Sequence, residues 1–231
     1  MQNQCLGIVI RTIKYGDSGI IAQILTDKYG MQSFLVKGVH SKKTKLKISL
    51  FGTLNILQLQ IHFKENRNIQ SIREATPEFP MHNSHSDIVK NAMLLYVADV
   101  MKECLKSHPM ADNNLFQFLM NTISQIENCK VDSHFPLKFM IELSQHLGFS
   151  ILHSSDLHFV SDDDDNHALG FLSDGEGINK VELFREINLG NIQLNKAARK
   201  KMLNTIHEHF KQHLDDKFSI KSAEVLEEVF L

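Results

Sequence analysis

Along the first third of the chain apolar residues recur at every second position, the period of a strand with one wet face. Leu6, Ile8 and Ile10 alternate with Gly7, Val9 and Arg11, and the run ends at Tyr15-Gly-Asp-Ser18, a turn by composition. Ile20 to Thr26 is rich in β-branched residues and closes at Asp27-Lys-Tyr-Gly30, and Met31 to Lys37 follows and stops at Gly38. The clearest strand sets Leu57, Leu59, Ile61 and Phe63 against Gln58, Gln60 and His62, and a fifth, Ile69 to Ala75, reaches Pro77. Five short strands in so short a stretch predict a small, strongly curved barrel. A five-stranded OB-fold is the natural candidate; an SH3-like barrel is the alternative, and periodicity does not separate them.

After Pro77 and Pro80 the period becomes 3.6. Ser86 or Asp87 caps a helix running to about Leu105 that is apolar round much of its circumference, which predicts a buried central helix. Leu115, Leu119, Ile123 and Ile126 make the next stripe, and Leu137, Met140, Ile141, Leu143 and Leu147 a third, with Gly148 placed to end it. Met202, Leu203, Ile206, Phe210 and Leu214 form a fourth, and Val225, Leu226, Val229 and Phe230 a short fifth. Residues 149–190 hold Asp162-Asp-Asp-Asp165 and several glycines and show no sustained period. The expected class is therefore α+β: an OB-fold barrel over residues 1–80, then an α-helical bundle over 81–231 with an irregular acidic insertion at about 149–190.

Charge sharpens the division. Residues 1–73 carry 11 Lys and Arg against 3 Asp and Glu, a balance of +8, whereas the remainder carries −10, for a net −2. A cationic barrel is suited to a polyanion, and the acidic remainder is not. Lys42, Lys43, Lys45 and Lys47 crowd one loop, with Lys37 just before them and no acid among them. Such ammonium groups can reach successive phosphates without demanding a base sequence. Arg11, Lys14, Lys64, Arg67 and Arg73 extend the track, and Tyr15, Phe34, Phe51 and Phe63 are candidates for stacking, although Phe34 and Phe63 also suit a core.

No catalytic constellation stands out. Gly38-Val-His-Ser-Lys-Lys-Thr44 lacks the second glycine of a phosphate-binding loop, and His207-Glu-His-Phe-Lys-Gln-His213 reads as a polar helix face with its Glu misplaced for a zinc protease. The four aspartates at 162–165 lack the alternating ligands of an EF-hand. Three widely spaced cysteines (Cys5, Cys104, Cys129) argue against a disulfide framework. No apolar run has the length of a membrane span, and Met1-Gln-Asn-Gln-Cys5 lacks a secretory n-region. A cytoplasmic protein without catalytic residues, metal or cofactor is expected.

Several of these segments together resemble a known family. Gly7-Ile-Val-Ile-Arg-Thr-Ile-Lys-Tyr-Gly-Asp-Ser18, Leu25-Thr-Asp-Lys-Tyr-Gly30 and Phe34-Leu-Val-Lys-Gly38 with its basic loop resemble the N-terminal domain of the RecO family of bacterial recombination mediators. Glu142-Leu-Ser-Gln-His-Leu-Gly148 is similar to that family's helix ending in Leu-Gly, and His213-Leu-Asp-Asp-Lys-Phe-Ser-Ile-Lys-Ser222 to its C-terminal signature. The resemblance implies an OB-fold joined to a helical domain and a nucleoid-associated, ATP-independent role in recombinational repair. It further implies binding of single- and double-stranded DNA, strand annealing, and work with RecR to load RecA onto strands coated by single-stranded DNA-binding protein (SSB). An SSB tail, acidic with an apolar end, suits a helical-domain groove with basic rims, for which Lys138, Arg199, Lys200 and Lys201 are candidates. One departure is plain: many members carry a four-Cys zinc site after the Leu-Gly helix, and Leu147-Gly-Phe-Ser-Ile-Leu-His-Ser-Ser-Asp156 has no Cys, nor does anything after it. His153, His158 and His167 lack paired soft ligands, so no zinc is expected. Two other readings fit the barrel or the helices alone: an RNA-binding OB protein, and a protein-only adaptor docking an acidic peptide tail.

Overall fold

The computed structural model describes residues 3–39, 46–107, 109–153, 184–187, 193–215 and 218–230, the side chains of His85, His153, Glu227 and Phe230 excepted. Five strands form where alternation predicts them: β1 (Asn3–Tyr15), β2 (Gly19–Thr26), β3 (Gly30–Val36), β4 (Ile56–His62) and β5 (Ile69–Pro77). They close into a barrel in the order β1-β2-β3-β5-β4. β3 and β5 pair in parallel, the other pairings are antiparallel, and β1 returns to β4. This is the OB-fold, and it removes the SH3-like alternative. Val9, Ile24, Phe34, Leu57, Leu59 and Ile61 fill the interior. Gly7, paired with both β2 and β4, faces inward; a Cβ there would lie 2.6 Å from both Ile24 and Leu59, so the barrel closes only because that position is bare.

The simple alternation of β1 does not survive intact. Ile8, Val9 and Ile10 are all buried, because the β1–β2 register slips between Val9 and Arg11 and leaves Ile10 as the extra residue of a bulge. Ile8 pairs with buried Ile56 on the side away from the core, and a helix packs on that strand.

The helical part comprises α1 (Asn83–Ser86), α2 (Ile88–Ser107), α3 (Asn113–Asn128), α4 (Phe135–His146), α5 (Lys196–Leu214) and α6 (Ala223–Phe230). α2 is the helix on β1, and Asp87 starts it, its Oδ1 accepting from Val89 N at 2.8 Å and Lys90 N at 3.1 Å. Asp112 caps α3 in the same way. Gly148 ends α4 at φ +83°, as its place after the stripe predicts. By packing, the chain forms two compact units, Met1–Lys130 with Ile220–Ser222, and Val131–Ser219 with Ala223–Leu231. α1–α3 pack in the same unit as the barrel. Of the irregular insertion, residues 149–153 include a 3-10 turn and 184–187 a helical turn with Ile187 buried; Asp162 to Asp165 lie outside the described residues.

Candidate nucleic-acid interface

Strand register decides which side chains share the outer surface of the barrel. On β1, Thr12 and Lys14 stand opposite Ala22 and Ile20, both core residues, so Arg11, Ile13 and Tyr15 face outward opposite Gln23, Ile21 and Gly19. β3 carries the face onward through Ser33 and Leu35, and Lys37 keeps the same parity just past the strand. The parallel pairing then sets Ile69 beside Ser33 and Ser71 beside Leu35. One side of the barrel thus presents a four-strand surface on which Ile13, Tyr15 and Ile69 stay 40%, 53% and 43% exposed.

Where this face meets the β4–β5 connection a groove of about 510 Å³ opens, with Lys37, Leu46, His62, Lys64, Arg67 and Ser71 on its walls. Its cationic loop is held by one side chain. Buried Gln70 accepts from Lys64 N at 2.9 Å and donates to the carbonyls of Lys64 and Arg67 at 2.8 and 2.7 Å. Those bonds curl the loop back on β5 and leave the Lys64 and Arg67 side chains outside. Nothing in the hydrophobic pattern marks Gln70 for this task; a polar residue at an inward position of a strand was the available signal.

The structure therefore gathers Lys37, Lys64 and Arg67 in one groove and puts Arg11 on the adjoining face. Lys47 is exposed where the chain re-enters the described residues; Lys42, Lys43 and Lys45 lie outside them. Lys14 has the inward parity and is exposed, and Arg73 is exposed at the irregular step of the β4–β5 pairing, off the groove walls. Among the described residues, none of these barrel cations lies within ion-pair distance of a carboxylate. The ion pairs found, such as Lys102 with Asp99 and Lys138 with Asp132, belong to the helical part. Exposed cations facing one groove without counter-charges attract a polyanion and release its counterions on contact.

The family model described as Recombination protein O N terminal matches residues 1–80, and that described as Recombination protein O C terminal matches residues 85–222. The chain belongs to the RecO family. Among its relatives, DNA repair protein RecO of Bacteroides fragilis is 29% identical over 248 residues spanning the whole of both chains. That of Azobacteroides pseudotrichonymphae is 28% identical across 96% of this chain and 97% of its own. That of Flavobacterium psychrophilum is 26% identical over the whole of both.

Within this RecO-family chain the other candidates separate clearly. Phe34 and Phe51 are core residues, and Phe63 is half-buried and stacked on Tyr29 with ring centroids 4.1 Å apart. Tyr15 is the stacking candidate that stands exposed. In the second unit, Lys138 pairs with Asp132 at 3.0 Å, and Arg199 donates through Nη1 to the Leu194 carbonyl at 2.5 Å; Lys200 and Lys201 are exposed on α5. Lys138 and Arg199 both influence buried His134, whose Nε2 accepts from Leu194 N at 3.1 Å.

The helix face holding His209 and His213 is solvated only in part, with His213 exposed. His209 is buried, its Nε2 lies 3.2 Å from the Phe149 carbonyl, and the Phe149 ring stacks on His213 at 4.9 Å. Among the described residues no three His, Cys, Asp or Glu side chains gather as metal ligands; the side chains of His153, His158 and His167 lie outside them. Burial pushes the Cys5 thiol up to about 11, with Asp27 adding to the shift, and raises Cys104 further, the opposite of an activated thiolate. No described helix is long and apolar enough to cross a membrane.

Proposed function

We propose that this chain is a recombination mediator of DNA repair that binds single- and double-stranded DNA without sequence preference through the barrel groove. The observation that carries this reading is the joining of Lys37, Lys64 and Arg67, with no carboxylate at ion-pair distance among the described residues, in one groove of a RecO-family barrel. Ammonium and guanidinium groups lining one groove grip a sugar-phosphate chain and read no base edges. The loop carrying Lys42, Lys43, Lys45 and Lys47 extends the grip, with Arg11, Lys14 and Arg73 at its margins. Shielding phosphates on two strands lowers their repulsion, and base pairing then supplies the specificity of annealing. No catalytic group or cofactor enters this cycle. With RecR the protein helps place RecA on SSB-coated strands in the cytoplasm, at the nucleoid, and an acidic SSB tail docks on the helical part at Lys138, Arg199, Lys200 and Lys201.

The test is the salt dependence of binding. Replacing Lys37, Lys64 and Arg67 together by Gln removes three phosphate contacts, so the slope of log affinity against log salt falls by about 2 for single strands and about 3 for duplex. An unchanged slope refutes the groove. Stronger binding to a matched RNA strand would move the reading to an RNA-binding protein, and displacement by an acidic peptide without any DNA affinity would move it to an adaptor.

A further inference from the structure

We infer that Tyr15, with Ile13 and Ile69 on the same face, is a base-contacting platform that makes this barrel favour single-stranded over duplex DNA. The inference rests on the DNA-binding reading above and adds the determinant of strand state. The ring stands 53% exposed, and among the described residues it is the exposed barrel aromatic. Its cross-strand partner is Gly19, and Lys37 follows Gly19 on the next strand, about two strand spacings (roughly 10 Å) from Tyr15. A Cβ at Gly19 would lie 2.9 Å from the Tyr15 carbonyl oxygen, 3.3 Å from that of Val36 and 4.0 Å from Lys37 Cα. Gly19 is itself buried and closed to any side chain, so no β2 side chain stands between the ring and Lys37. A base stacked on the exposed Tyr15 ring leaves its phosphate towards the Lys37 end of the groove.

The chemistry of the face separates two kinds of ligand. Cations serve any phosphate chain, paired or unpaired. Exposed apolar and aromatic surface offers nothing to the outside of a duplex, whose bases are stacked on one another. It rewards an unpaired base, which brings its own apolar face out of water. Arg11, at the far end of the same β1 face, lets a second phosphate be held as the bases cross Ile13. Groove and platform therefore do different work: one sets affinity for polyanions, the other sets preference for open strands.

The experiment measures affinity for an oligothymidine and for a blunt duplex of equal length at one salt concentration, with the full chain and its variants. Tyr15→Ala is expected to weaken single-strand binding roughly tenfold, to leave duplex binding within about twofold, and to leave the salt slope unchanged. Tyr15→Phe retains both affinities. The unmodified protein binds an abasic strand of the same charge more weakly than oligothymidine, and Tyr15→Ala narrows that gap. Equal losses on both ligands, or no loss on the single strand, would overturn the inference. The Lys37, Lys64 and Arg67 variant keeps the two readings apart. If it weakens both ligands while Tyr15→Ala weakens neither, the platform falls and the groove stands; if neither variant changes anything, this face is not the DNA site. Tyr15 is exposed at a strand end, and far-ultraviolet circular dichroism of each variant checks that the barrel is intact.

Discussion

Removing the Glu127 carboxylate should destabilise the protein far more than its place at the end of a helix suggests. Glu127 is only 4% exposed. Its Oε1 accepts from His82 N at 2.9 Å and Asn83 N at 2.8 Å, and its Oε2 from Ser84 N at 2.9 Å and Ser84 Oγ at 2.6 Å. One side chain thus satisfies the orphan donors that open α1, directly after the barrel's last strand. In Glu127→Ala, His82 and Asn83 are exposed and regain water, but both Ser84 donors are buried and do not. At about 1–3 kcal/mol per orphaned buried donor, with the charge-assisted bonds lost, the change comes to about 3–5 kcal/mol. Glu127→Gln keeps the Oε1 acceptor but turns an amide N–H₂ towards Ser84 N–H, for a loss of about 2 kcal/mol. Urea unfolding followed by circular dichroism reads both values; with a slope of about 2 kcal/mol per molar, the Ala midpoint moves down by roughly 2 M. Acid adds a second signature. Burial alone would raise the Glu127 carboxyl, but the bonds from Ser84, Asn83 and His82 outweigh it and hold it below its ordinary value. The anchor is then at full strength at neutral pH and fades as pH falls through the depressed folded value. Glu127→Gln should therefore show a shallower loss of stability in acid, the remaining slope belonging in part to Asp99 and Asp132, which are lowered too. An Ala variant within 1 kcal/mol of the parent, with the acid slope intact, would refute this account.

Two further outcomes follow from the packing. Gly30→Ala places a Cβ 2.3 Å from the Pro109 carbonyl oxygen at a φ of +63°, and rigid backbone from Met110 and Ala111 closes the other side. A loss above about 3 kcal/mol is expected on thermal melting, and a loss below 1 kcal/mol would show that the loop gives way. His134 is held below its ordinary pKa by burial first, then by Arg199 and Lys138, with Asp132 opposing. The unfolded chain therefore binds the extra proton in the window below about pH 6.5, and stability rises with pH across that window. His134→Gln keeps an acceptor for Leu194 N and should flatten the fall in melting temperature between pH 7 and 5.5; an unchanged profile would remove His134 from it.

Much of the barrel was legible because one-sided burial imposes a period of two, and each strand lies within a few residues of its pattern. The helical stripes were legible for the same reason at 3.6, together with local stop signals such as Asp87 and Gly148. α1 was not, because its N–H groups are satisfied by Glu127, more than forty residues onward. Phe34 and Phe51 carry the same composition signal as Tyr15, and only the folded barrel turned them inward and left Tyr15 out. His209 belonged to a polar-looking stripe until Phe149, folded back after Gly148, covered it.

Charge inventory, strand count and the excess of lysine in the first third are properties of composition and local period, so the amino-acid order alone determined them. Which cations act together is different. Lys37 meets Lys64 and Arg67 because β3 pairs in parallel with β5 and because Gln70 curls the intervening loop. Those are contacts between residues far apart in the chain, and their energies depend on register and burial. Only the closed barrel could decide them.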